Sequence, residues 1–101
     1  MQILAIMTGA DGRTEPDFLP YQMEEERTVW RHWKGGLLRQ MWFRTDRLGA
    51  IFILEAESLE AVERILPEFP MIRDGLLVAD LIPLRNFDGL EALFADPWIA
   101  R

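Results

Sequence analysis

The sequence predicts an α+β fold of ferredoxin-like plan: β-α-β-β-α-β over a four-stranded antiparallel sheet, with a short helix at the C-terminus. Three observations carry this. Four short apolar runs are bounded by Gly, Asp and Pro clusters, as strands are. Two stretches with helical apolar spacing and clear start and stop signals fall between the first and second runs and between the third and fourth. The middle two runs are joined by a five-residue turn segment, Thr45-Asp-Arg-Leu-Gly49, short enough only for a hairpin. A chain of 101 residues fits one domain spanning 1–101, with 86–101 as its tail.

Gln2–Thr8 (QILAIMT) reads as the first strand, stopped by Gly9-Ala-Asp-Gly12. Thr14-Glu-Pro-Asp17 carries helix-start chemistry, and a helix from about Asp17 to Lys34 ends at Gly35-Gly36. Leu37–Arg44 and Ala50–Ala56 form the hairpin. Ser58 is a good N-cap for Leu59–Leu66, whose Leu59, Val62, Ile65 and Leu66 share a face; Pro67 and Pro70 end that helix. Asp74-Gly75 turns the chain into the fourth strand, Leu76–Leu84, and Phe87–Phe94 reads as an amphipathic tail helix.

Composition narrows the function classes. Without cysteine there is no disulfide, thiolate metal site or cysteine nucleophile, and one histidine rules out a multi-histidine metal centre. No metal and no cofactor is expected. The formal charge of −6 argues against a nucleic-acid surface. No apolar run is long enough to cross a membrane, and the apolar start Met1–Met7 lacks the basic flank of a signal peptide, so a cytoplasmic location is expected. Four Trp and six Phe are a large aromatic load for this length. Both faces of the strands are apolar: Leu37, Met41 and Phe43 alternate with Leu38 and Trp42, and Ile51 and Ile53 alternate with Phe52 and Leu54. An antiparallel sheet with one wet face would alternate with polar residues. The second face therefore predicts a homodimer packed sheet to sheet, with larger assemblies open.

The block Gly36–Ser58, GLLRQMWFRTDRLGAIFILEAES, resembles the muconolactone isomerase family of the dimeric α+β barrel superfamily. The shared features are Gly36 six residues before Trp42, Arg39 three before it, and an ungapped run from Trp42 to Glu57-Ser58. Phe69-Pro70 and the strand ending at Leu84 also fit that pattern, and FPMIRDGLLVADLIPL is similar to the ending of YCII-related proteins. Gln40 stands where the family often has His. The resemblance implies a dimeric barrel with a pocket between sheet and helices. It also implies a reaction that shifts a double bond in an unsaturated lactone by moving a proton, without metal or cofactor.

Three charged residues set among apolar ones are the candidate catalytic groups. Leu19, Met23, Trp30 and Trp33 share a helical stripe, and Glu26 falls in its gap; buried there, its carboxyl would suit proton transfer. A small error of helical phase would instead put Glu26 in water. Asp80 shares a strand face with Val78 and Ile82, and matches an acidic position of the family pattern; otherwise it is an ion-pair member or an edge position reaching water. Arg39, in mid-strand, could hold a substrate carboxylate bidentately or pair with Asp80 or Glu26. Arg44, nearer the turn, is expected to be exposed. Trp42, Phe52 and Trp30, with Trp33, could wall a flat ligand, Tyr21 could hydrogen-bond it, and His32 could shuttle protons. The leading expectation is a cofactor-independent enzyme that isomerises or cyclises a small unsaturated lactone, organic acid or polyketide-like ring. The alternatives are a cofactor-free monooxygenase of the same superfamily and a non-catalytic ligand-binding module; a helix–sheet space filled by aromatics, with no cavity of about 300 Å³, would favour the latter.

Overall fold

A computed structural model describes residues 1–95. The first strand, β1 (Gln2–Gly9), runs through the middle of the molecule and pairs antiparallel on both sides, with β3 (Gly49–Glu55) and β4 (Leu77–Pro83). β2 (Leu38–Phe43) adds to the outer side of β3, so the order is β2-β3-β1-β4. This is the expected ferredoxin-like plan, in which helices connect β1 to β2 and β3 to β4.

The first connection is not one helix. Pro16 and Pro20 divide it into α1 (Glu15–Phe18), a 3₁₀ turn (Leu19–Tyr21) and α2 (Gln22–Gly35). Asp17 caps the start, accepting the Thr14 N–H at 2.8 Å. Gly36, with φ of 90°, ends α2 in the left-handed conformation that glycine adopts without a Cβ penalty. In the second connection Ser58 Oγ accepts the Ala61 N–H at 3.1 Å and opens α3 (Leu59–Ile65). Pro67 lies in the 3₁₀ turn that follows. Pro70 does not terminate a helix as expected; it begins a further turn, α4 (Pro70–Arg73), because its missing N–H costs nothing at a helix start. The tail forms a 3₁₀ turn (Asp88–Glu91) and one α-helical turn, α5 (Ala92–Ala95). The expected tail segment Asp96-Pro97-Trp98 lies outside the described residues.

The register assigns the two sheet faces. Ile3, Ala5 and Met7 of β1 pair with Leu54, Phe52 and Ala50 of β3 and point to the helices, where they are fully buried with Leu38, Val62 and Phe69. On β2 the simple alternation fails. A register shift between Leu38 and Gln40 leaves Arg39 unpaired, so Leu38 joins Met41 and Phe43 on the helix side instead of opposing them. The other face carries Leu4, Ile6, Ile51, Ile53, Trp42, Val78 and Ile82, and among the described residues no helix covers it. Trp42, Val78 and Ile82 are exposed there.

Gly49 is the tightest backbone position. Its φ is 150°, and a Cβ would collide with the Met7 carbonyl oxygen of the neighbouring strand. Gly49→Ala is therefore expected to destabilise the fold by about 2–3 kcal/mol through backbone strain and displacement of β1 from β3. Chemical denaturation checks this; an unchanged midpoint would contradict it.

Candidate active site

Between the helices and the sheet lies a cavity of about 790 Å³. Met7, Ala50, Phe52 and Leu77 of the sheet form its floor. Phe18, Gln22, Glu25 and Val29 form one wall, Met71 of α4 closes the inner end, and the hairpin residues Phe43 to Leu48 form the opposite rim. Its volume falls within the range of small-molecule sites.

The one carboxylate buried in this space is Glu25, which is 8% exposed. Its Oε1 accepts the backbone N–H of Met71 at 2.9 Å. Its Oε2 has no hydrogen-bond partner among the described residues, and the residue lines the cavity. Burial pushes the carboxyl pKa above the usual carboxylate range; the Met71 N–H opposes the shift and neighbouring Glu24 adds to it. A carboxyl shifted in this direction holds its proton more tightly than a solvated one.

At the rim, Arg44 is held on three sides. Its Nε and Nη2 donate to the Asp46 carboxylate at 3.0 and 2.8 Å, and its Nη1 donates to Thr8 Oγ1 at 2.8 Å. The pair depresses the pKa of Asp46 and raises that of Arg44, chiefly through their hydrogen bonds. Contrary to expectation Arg44 is not exposed: its side chain is 16% accessible.

The structure redistributes the residues singled out in the sequence. Glu26 lines the cavity mouth but is exposed, accepting from Gln22 Nε2 at 3.2 Å. It is not on the buried stripe, because the inward face of α2 is set by Glu25 and Thr28, with Val29 and His32 half-buried beside them. Leu19, Met23, Trp30 and Trp33 face outward instead. Trp30 therefore walls no pocket, and Lys34 Nζ lies 5.9 Å from its ring centroid. Asp80 is not buried: it lies on the open sheet face of edge strand β4, away from the cavity. Arg39 is exposed at the β2 bulge, donates from Nε to the Gly36 carbonyl at 2.7 Å, and pairs with neither Asp80 nor Glu26. Trp42 borders the rim, but its register partner Ile51 belongs to the open face. Phe52 does line the cavity, and its ring packs 6.0 Å from that of Phe69.

Tyr21 and His32 lie outside the lining. Hydrogen bonding to the Asp74 carboxylate, with some burial, raises the Tyr21 pKa. His32 stacks on Phe69 with centroids 5.4 Å apart. Its buried Nε2 has no hydrogen-bond partner among the described residues, and Glu68 Oε1 lies 3.6 Å away. Sequence reasoning missed Glu25: the inward face of α2 carries Glu25, Thr28, Val29 and His32, a set that no apolar stripe marks.

Among the described residues no group of three His, Asp or Glu side chains is placed to hold a metal ion, and no helix is long and apolar enough to cross a membrane.

The element order and the β2-β3-β1-β4 sheet define a ferredoxin-like α+β fold, which solved structures share. Muconolactone isomerase itself superposes with a TM-score of 0.69 over 88% of this chain and 93% of its own, at 16% identity. The 5-chloro-2-hydroxyhydroquinone dehydrochlorinase of Burkholderia phenoliruptrix AC1100, solved with 2,5-dihydroxybenzoquinone, superposes with a TM-score of 0.61 over 85% of this chain and 95% of its own, at 15% identity. No family model matches the sequence, and no curated protein matches it at a significant level.

Glu25 links the cavity to stability. Because folding raises its pKa, the folded state binds this proton more tightly than the unfolded chain. Its contribution is fully present at low pH and is lost as pH rises through the raised pKa. Glu25→Gln keeps an acceptor for Met71 and should remove that downward slope, leaving stability at pH 7 equal or higher. Glu25→Leu orphans the Met71 N–H and should cost about 1–3 kcal/mol. Denaturation midpoints between pH 4 and pH 8 (a range of about four units spanning the transition) decide it. A steeper loss in Glu25→Gln than in wild type would contradict it.

Proposed function

We propose that the protein is a small acid–base enzyme whose Glu25 carboxylate moves a proton on an unsaturated ring bound in the cavity, giving a double-bond shift. The observation that carries this is a buried carboxylate in the lining of a cavity of about 790 Å³, with one oxygen held by a backbone N–H and the other without a hydrogen-bond partner among the described residues. In the step, Glu25 takes a proton from the carbon next to a carbonyl. The C–H electron pair moves into the conjugated system as a dienolate. The protonated Glu25 then returns the proton at the far end, so substrate and product are isomers and the carboxylate is regenerated. The two structures of like fold are an isomerase and a dehydrochlorinase by name, and moving a proton off carbon is a chemically reasonable start for either reaction. The cavity supports this reading over a purely structural module, since the space between α2 and the sheet is not filled with aromatic side chains.

The test is exchange of carbon-bound hydrogen from a simple unsaturated γ-lactone in deuterated water, followed by NMR. Glu25→Gln should lower the rate by at least ~10²-fold with the fold intact, and Glu25→Asp should fall between. The wild-type rate should rise with pH through a midpoint above the usual carboxylate range, because the base must be ionised. Exchange at the wild-type rate in folded Glu25→Gln would sink the assignment.

The protomer's open sheet face supports a homodimer, with a second copy covering Ile6, Ile51, Val78 and Ile82. The outward stripe of Leu19, Met23, Trp30 and Trp33 offers a further surface for larger assembly. Light scattering should give the mass of a dimer or a multiple of it, and Ile51→Lys should shift the protein to monomer. A monomeric wild type would contradict this.

A further inference from the structure

We infer that the cavity selects an uncharged ring bearing hydroxyl or carbonyl oxygens, and rejects rings that carry a carboxylate. This rests on the reading of the cavity as a substrate site and narrows it.

The charges in the lining decide the matter. Glu15, Glu25, Glu26 and Asp46 face two cations, Arg44 and Arg47. Arg44 is committed within the protein, and Arg47 is an exposed side chain whose charge water screens. Asp46 takes the Arg44 guanidinium on two nitrogens, at 3.0 and 2.8 Å, and Arg47 Nε lies 3.6 Å from the same carboxylate. A third Arg44 nitrogen is committed to Thr8. Arg39, the residue expected to anchor an anion, is outside the lining and bonded to the Gly36 carbonyl. An anionic ligand would thus lie near Glu25 with only the solvent-exposed Arg47 as a surplus counter-charge, in a lining where four carboxylates outnumber two guanidinium groups and in a chain of net charge −6.

The remaining contacts suit a neutral ring. Met7, Phe18, Val29, Phe52, Met71 and Leu77 supply apolar surface. Gln22 and the free Oε2 of Glu25 supply the polar contacts: the carboxylate accepts from a ring hydroxyl, and the carboxylic acid donates to a ring carbonyl. An ammonium-bearing ring would gain from the acidic lining but would leave its charge against this apolar surface.

The experiment is calorimetric binding of three isosteric probes to the full chain at low ionic strength: 4-hydroxybenzyl alcohol, 4-hydroxybenzoate and 4-hydroxybenzylamine. The neutral alcohol should bind at least ~30-fold tighter than the carboxylate, as expected for an uncompensated like-charge contact. It should also bind tighter than the amine. Asp46→Asn releases both arginines and should narrow the alcohol-to-carboxylate ratio at least ~10-fold. Glu26→Gln, on an exposed helix position, should narrow it in the same direction if the hairpin variant misfolds. Carboxylate binding equal to or tighter than that of the alcohol, or the amine binding tightest, overturns the inference. The outcome is separable from the catalytic reading. Loss of hydrogen exchange in Glu25→Gln together with tight carboxylate binding would refute the selectivity alone. A neutral preference with full exchange in Glu25→Gln would refute the catalytic role alone.

Discussion

The hydrogen bond from the Met71 N–H to the Glu25 carboxylate is the constraint around which the helical layer is arranged. Glu25 sits in the first turn of α2 on its inward face, where an apolar side chain would otherwise close the gap to the sheet. A carboxylate buried there must find a donor. The backbone at the start of α4 provides one at 2.9 Å and so ties the first helical connection to the second. The layer is consequently divided. Towards the C-terminal end of α2, Phe69 fills the space against His32 and Phe52 and is almost wholly buried. Towards its N-terminal end the space stays open, and Glu25 stands at the boundary between the packed half and the cavity.

The cavity's far side is built with the same economy of charge. Arg44 would be an obvious anion anchor in isolation, yet its guanidinium is spent inside the protein, joining the hairpin turn through Asp46 to β1 through Thr8. It fixes the rim's shape. The one buried carboxylate in the lining is then that of Glu25.

Much of the fold was legible because its punctuation is local. Gly35-Gly36, Ser58 and Asp74-Gly75 act through backbone preferences that hold wherever they occur, and they delimited the helices and strands closely. The inward face of α2 was not legible, for a physical reason. Its largest apolar side chains, Met23, Trp30 and Trp33, point outward, while the buried positions are Glu25 and Thr28. A rule that apolar stripes face the core selects the wrong side of such a helix. The turn around Pro20 added to this by making a 3₁₀ step between α1 and α2, so residue spacing across it does not follow one helical period. In β2, the bulge at Arg39 likewise hid which residues share a face with Leu38. Asp80 was placed on the correct strand face, with Val78 and Ile82, but that face opens away from the helices and hence from the cavity.

Two apolar surfaces remain outward: the open sheet face and the stripe on α2. Each touches the cavity only at its edge, through Trp42 of the sheet face and Leu19 of the stripe. The most direct measurement of the central claim is a ¹³C NMR titration of the glutamate side-chain carboxyl carbons, with and without a neutral hydroxylated ring. A buried Glu25 facing the cavity gives one carboxyl that titrates above the usual range, is perturbed by the ring, and is absent from Glu25→Gln. Ordinary titration of every glutamate, or a raised midpoint that persists in Glu25→Gln, would contradict it.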